Sequence, residues 1–128
     1  LDMALKRLSL TRGDSDNYTV TFKRADGSLY NIKNWKIFFT LKTNYELPDA
    51  QASFRGTYGT FDDTAAGTSG SANIPIHPVD TINLDVGEYD YDIKVCVAPG
   101  SENYTVEKGK FDLEFNVTKT IGTAGIAP

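Results

Sequence analysis

The 128-residue chain is 40% hydrophobic and 12% aromatic, too apolar to stay disordered and long enough to close a core without disulfides or metal. Its 17 acidic residues outnumber 13 basic ones for a formal charge of −4, the wrong sign for a protein that tracks phosphates. The single cysteine excludes an intrachain disulfide, and no window approaches the ~18 apolar residues of a membrane-spanning helix. Neither nucleic acid nor membrane is an expected partner.

In chain order, residues 1–10 hold no apolar run of the kind an export signal needs, and the lone Cys96, without a disulfide framework, makes folding in a reducing cytoplasm the simplest expectation. Strands are expected near 4–11, 17–23, 29–32, 36–42, 51–58, 72–77, 88–97, 103–107 and 110–118. The lysines and arginines of the first third (Lys6, Arg7, Arg12, Lys23, Arg24, Lys33, Lys36 and Lys42) alternate with apolar residues as solvated strand faces. Tyr18, Val20 and Phe22 share one side of the second strand, a period of two that a helix would scatter around its circumference. Ala25-Asp26-Gly27-Ser28 offers an Asp-Gly pair for a tight turn.

In the strand 36–42, Trp35, Ile37, Phe39 and Leu41 make one face and leave Phe38 on the other with Lys36, Thr40 and Lys42. An outward aromatic is either covered by a loop or buried against another protein. Phe54 and Tyr58, on one face of the strand 51–58, are candidates to cover it from within the chain.

Residues 59–71 are rich in Gly, Ser, Thr and Asp without apolar rhythm, and are expected to form a loop or long hairpin tip. Pro78 suits the first position of a helical turn within 78–84. Asp85-Val86-Gly87 breaks the chain before Tyr89, Tyr91, Ile93, Val95 and Val97 line up against Glu88, Asp90, Asp92, Lys94 and Cys96. Ala98-Pro99-Gly100-Ser101 turns the chain, and Lys108-Gly109-Lys110 is expected to break it again. Phe111, Leu113, Phe115 and Val117 then alternate with Asp112, Glu114, Asn116 and Thr118. Residues 121–128 read as a tail or linker beyond a single domain of 1–120. Many short strands with turns every eight to twelve residues argue for an all-β, antiparallel sandwich of about eight or nine strands.

Several segments taken together resemble a known family. Arg12-Gly13-Asp14 leads into Tyr18-Thr19-Val20-Thr21-Phe22, and Asp26-Gly27-Ser28-Leu29-Tyr30-Asn31-Ile32-Lys33-Asn34-Trp35 precedes Ile37-Phe38-Phe39-Thr40-Leu41-Lys42. Asp80-Thr81, Leu84-Asp85-Val86-Gly87-Glu88-Tyr89-Asp90-Tyr91-Asp92-Ile93 and Gly109-Lys110-Phe111-Asp112-Leu113 follow. Over about residues 10–118 this order resembles the N-terminal domain of phage baseplate upper proteins. Asn34 stands where a glycine is expected before Trp35, and 43–76 match poorly. The resemblance implies an Ig-like sandwich in a tail or baseplate component.

Each candidate for chemistry has a plainer structural reading. His77, the single histidine, lies between Pro75 and Pro78 without metal-spaced partners. Cys96 has no neighbouring base and reads as an inert thiol. Glu88, Asp90 and Asp92, with Asp112 and Glu114 on another strand, are expected to form a solvated face that discourages edge pairing rather than a calcium or acid/base site. Asp62-Asp63 is the better calcium candidate, still minor. Arg12-Gly13-Asp14 spells an integrin tripeptide but sits where a turn is expected. The sequons at Asn17, Asn103 and Asn116 fall in expected strands.

No catalytic residue, metal or cofactor is therefore expected. The leading expectation, resting mostly on the resemblance, is a non-enzymatic structural module of a phage tail. It would be made in the host cytoplasm and built into the virion as a homo-oligomer, a trimer by analogy with tail fibres, against other tail and baseplate proteins. Phe38, Tyr45, Phe54 and Tyr58 are the expected partner contacts. The alternative is a carbohydrate- or receptor-binding adhesin using Tyr30, Tyr45, Tyr58 and Tyr104 as platforms. A hydrolase is the weakest reading, for want of a histidine or carboxylate pair set in a cleft.

Overall fold

A computed structural model of the chain describes residues 4–32, 34–59, 70–97 and 102–118. In order come β1 (Ala4–Thr11), β2 (Asp16–Thr21), β3 (Lys36–Lys42), a 3-10 turn (Asp49–Gln51), β4 (Phe54–Tyr58), β5 (Ser71–Ile76), α1 (Pro78–Thr81), β6 (Gly87–Val97) and β7 (Glu102–Glu114). Five strands pair in the order β1-β7-β6-β3-β4, and β2 pairs with β5 in a second sheet. The two sheets pack on each other as the all-β sandwich that the alternation predicts.

Period-two placement puts Ile37, Phe39 and Leu41 of β3, Tyr89, Tyr91, Ile93 and Val95 of β6, and Phe111 and Leu113 of β7 in the interior. Ala72, Ile74 and Ile76 of β5 meet them from the second sheet. Phe39 lies at the junction, with ring centroids of Tyr18 and Phe54 at 6.1 Å, Tyr91 at 5.9 Å and Phe111 at 6.2 Å. Edge-to-face and tilted aromatic contacts at such distances add to the gain from burial. The Trp35 amide closes a turn onto the Ile32 carbonyl, and its indole packs on Phe22 and Tyr30 at 5.2 and 5.4 Å.

Four features differ from the sequence-based expectation. β1 runs parallel to β7, from Ala4 opposite Glu107 to Thr11 opposite Glu114, so the large sheet is mixed rather than wholly antiparallel. The chain leaves β1 through a turn in which Gly13 has a φ of 85°, and it crosses there to the second sheet. That early crossover lets β1 lie beside the last strand in the same direction.

The second difference is strand number, which is seven among the described residues. The Asp26-Gly27 turn forms as expected, with Gly27 at a φ of 90°, but 29–32 contributes a single bridge, Leu29 to Lys23. Thirdly, Lys108-Gly109-Lys110 does not break the chain, and 103–107 and 110–114 are one strand. The irregularity sits two residues earlier: Ile93 pairs with Glu107 and Lys94 with Thr105, so Val106 is an extra residue in a bulge.

Finally, β7 stops at Glu114, and the alternation of Phe115 and Val117 continues beyond it without a partner strand. These two side chains are 72% and 84% exposed, while Asn116 turns inward and accepts a hydrogen bond from Arg12 at 2.9 Å. The expected strand 51–58 begins at Phe54, after the 3-10 turn. The expected turn at 98–101, most of the 59–71 loop with Asp62-Asp63, Lys33 and the 121–128 tail lie outside the described residues.

The Tyr18 hydroxyl is buried without a hydrogen-bond partner among the described residues, and burial, followed by the nearby Asp16 charge, pushes its pKa up to about 12. Phe39 and Tyr18 therefore make opposed predictions by chemical denaturation. Phe39→Ala should lose about 3–5 kcal/mol by emptying the junction. Tyr18→Phe removes an unsatisfied hydroxyl and should change stability by less than about 1 kcal/mol. A loss from Tyr18→Phe as large as that from Phe39→Ala would show that the hydroxyl, not the ring, holds the sheets together.

Candidate functional site

The register that buries Phe39 also composes the opposite face of the large sheet. Across β4, β3, β6 and β7, one row reads Thr57, Phe38, Lys94 and Thr105. The next reads Arg55, Thr40, Asp92 and Lys108, and the third carries Lys42, Asp90 and Lys110 across β3, β6 and β7. These side chains line a groove of about 860 Å³, with Tyr45 and Asp49 from the connection between β3 and β4 along its rim. That connection is tethered at two of the three charges of the third row. Lys42 reaches the Leu47 carbonyl at 2.6 Å and the Asp49 carboxylate at 2.9 Å, and the Tyr45 amide donates to Asp90 at 2.9 Å.

The carboxylates of this face fare differently. Lys110 contacts Asp90 at 2.5 Å, and its hydrogen bond holds the Asp90 carboxyl below the usual carboxylate range. Arg7 bridges Asp112 at 2.7 Å and Glu88 at 3.1 Å. The five carboxylates singled out from the sequence do include neighbours, Glu88 opposite Asp112, but a guanidinium lies between them. Asp92 is different. It is half-buried on the groove floor, no hydrogen bond or ion pair reaches its carboxylate among the described residues, and desolvation raises its pKa against the pull of Lys94 and Lys42.

The sequence-predicted contacts divide between two faces. Phe38 and Tyr45 line the groove, Phe38 half-buried and Tyr45 73% exposed. Phe54 and Tyr58 do not join them. They pair with Leu41 and Ile37, so they point inward, Phe54 onto Phe39 and the Tyr58 hydroxyl toward the Pro75 carbonyl at 3.4 Å. They cannot cover Phe38 from within. What the sequence reading missed is the Asp92, Lys94 and Lys108 group, whose signal was its shared outward parity with Phe38.

The remaining candidates take structural places. His77 is exposed at the start of α1, where its backbone amide donates to Asp80 at 2.8 Å and Pro78 takes the first helical position. Arg12 of the Arg-Gly-Asp triplet is directed at the Leu84 carbonyl and Asn116, both at 2.9 Å, and the Asp14 amide closes a turn onto Thr11. Cys96 is half-buried on the outward parity of β6. Among the described residues no group of three or more His, Cys, Asp or Glu is placed to hold a metal ion. Tyr30 packs on Trp35 under the Arg24 guanidinium, and Tyr104 bonds Glu102, so the four tyrosines do not converge.

No family model and no curated protein matches the chain. Among solved structures it is similar to a family 123 glycoside hydrolase from Clostridium perfringens, at 19% identity and a TM-score of 0.39 over 88% of this chain. The chain spans 23% of that protein's length, and a likeness of that TM-score carries no argument about chemistry.

Asp92 supplies a pH test. Its folded pKa is raised, so between the unfolded and folded values the native state holds more protons, and stability falls as pH rises through that window. Asp92→Asn should raise the melting temperature at pH 7, with the gain shrinking as pH is lowered toward 4. A variant less stable than the parent at pH 7 would mean that the carboxylate has a partner worth more than its desolvation costs.

Proposed function

We propose that the chain is a non-enzymatic structural and assembly module of a bacteriophage tail or baseplate. In this reading it packs against copies of itself and neighbouring tail proteins through the outer face of its five-stranded sheet. The observation that carries the docking part is Phe38, an aromatic side chain on the outward parity of β3 that lines a groove instead of entering the core. A half-buried aromatic side chain on an outer sheet face, set among hydroxyls and charges, supports reading that face as a contact surface. The tail setting rests on the sequence resemblance over residues 10–118.

The occupation of the candidate catalytic groups supports the same reading. Glu88 and Asp112 share Arg7, and Asp90 is held by Lys110. Size-exclusion chromatography with light scattering, run over a concentration series and with purified tail proteins added, tests the proposal. Dimers or larger species, or a complex with a tail protein, are expected, and Phe38→Ala or Phe38→Asp should weaken them. A strict 14.1 kDa monomer that binds no tail protein would overturn it.

A carbohydrate-binding adhesin is kept as a second reading because Thr40, Thr57, Thr105, Asn103 and Asp92 surround Phe38 with hydroxyl, amide and carboxylate groups. Sugar platforms combine an aromatic ring with such polar groups. Glycan-array binding that is lost on both Phe38→Ala and Asp92→Asn would favour it, and an empty array would remove it.

A further inference from the structure

The described residues place two surfaces of opposite character on one molecule. The groove carries five cations against three carboxylates, in a chain whose formal charge is −4. Asp49 and Asp90 are already engaged by Lys42 and Lys110. Lys94 and Lys108 flank Asp92 with no hydrogen bond or ion pair within 4 Å among the described residues, and Lys94 pairs across the sheet with Phe38.

The second surface lies at the end of the sandwich where β1 leaves, α1 sits and β7 stops. Hydrogen bonds tie these segments into one place: Gly13 to the Thr81 hydroxyl, and Arg12 to Leu84 and Asn116, each at 2.9 Å. They contribute Asp14, Asp16, Asp80, Asp85 and Glu114 against Arg12, whose guanidinium is turned inward. The same segments carry four of the six exposed large hydrophobics among the described residues, Val79, Val86, Phe115 and Val117. Apolar side chains this exposed, framed by carboxylates, mark a contact surface.

We infer that the acidic, apolar end of one copy seats in the cationic groove of another, a head-to-tail contact between identical chains. The inference rests on the reading of the groove as an assembly surface and adds its occupant. Charge complementarity selects the partner: Lys94 and Lys108 meet the carboxylates of the end, and Phe38 and Tyr45 receive Phe115 and Val117. The two patches differ, so the contact is heterologous and generates a ring if its rotation closes and a filament if it does not.

Two variants separate the patches. Lys94→Glu with Lys108→Glu blocks the groove and leaves the end intact. Phe115→Asp with Val117→Asp blocks the end and leaves the groove intact, and all four side chains are exposed, so neither change touches the core. Light scattering should find the parent larger than a monomer, and smaller as salt is raised. Each variant alone should be a monomer. An equimolar mixture should give a dimer and nothing larger, because one free groove meets one free end.

If the end variant still assembles as the parent does, the groove pairs with itself or another surface and the inference is overturned while the assembly reading stands. A mixture that stays monomeric also overturns it. A parent that is monomeric yet binds a purified tail protein overturns the self-contact alone, and a parent that is monomeric and binds nothing removes both. Should the groove reversal unfold the sheet, Lys94→Gln with Lys108→Gln serves in its place, with the same outcomes.

Discussion

Phe39 is wedged between the two sheets, fully buried, with four aromatic rings against it. Tyr18 approaches from the small sheet, while Phe54, Tyr91 and Phe111 belong to the strands around β3 in the large one. Because successive side chains of a strand point to opposite faces, fixing Phe39 inward forces Phe38 and Thr40 outward. A one-residue slip of β3 would bring Phe38 and Lys42 into the core and expose Ile37, Phe39 and Leu41. The composition of the groove is thus a by-product of the register that closes the core.

The same register sorts charge. Outward positions of β6 are acidic from Glu88 to Asp92, while those of β7 are basic from Lys108 to Lys110, and the antiparallel pairing sets Asp90 against Lys110 and Asp92 against Lys108. Toward the other edge Arg7 of β1 enters between Glu88 and Asp112, so Glu88, Asp90 and Asp112, which look like part of a metal or acid/base cluster in one dimension, are each paired with a cation in three. Exposed pairs of this kind contribute little to stability individually. Their effect is on what the face can bind, since among the described residues they leave Asp92, Lys94 and Lys108 of the groove outside such pairs.

Strands and core were legible because alternation is local: β3, β6 and most of β7 could be placed from the spacing of Ile37, Tyr89 and Phe111. Sheet topology was not, since the parallel union of β1 with β7 joins residues about a hundred positions apart and leaves no mark in the spacing of either strand. Glycine misled at Gly109, which pairs with Tyr91 inside a continuous strand, while the real irregularity at Val106 has no turn residue to announce it. Alternation also misled where it outran its strand, at Phe115 and Val117. Which face Phe54 and Tyr58 occupy depends on where β4 pairs with β3, a register set by the 3-10 turn and the tethers of the 43–53 connection rather than by β4 itself.

Whole-chain charge and surface charge point in different directions. The net value of −4 conceals a groove with more cations than carboxylates and an end with more carboxylates than cations. A nucleic acid backbone would find Lys94 and Lys108, but it would also have to pass Asp49, Asp90 and Asp92 on the same floor, and phosphate contacts weaken with every carboxylate nearby. A protein surface can vary its charge from one residue to the next and bring apolar groups to Phe38. On the proposed reading, the two lysines, the desolvated carboxylate and the aromatic ring of this groove would each meet a matching group on a folded partner.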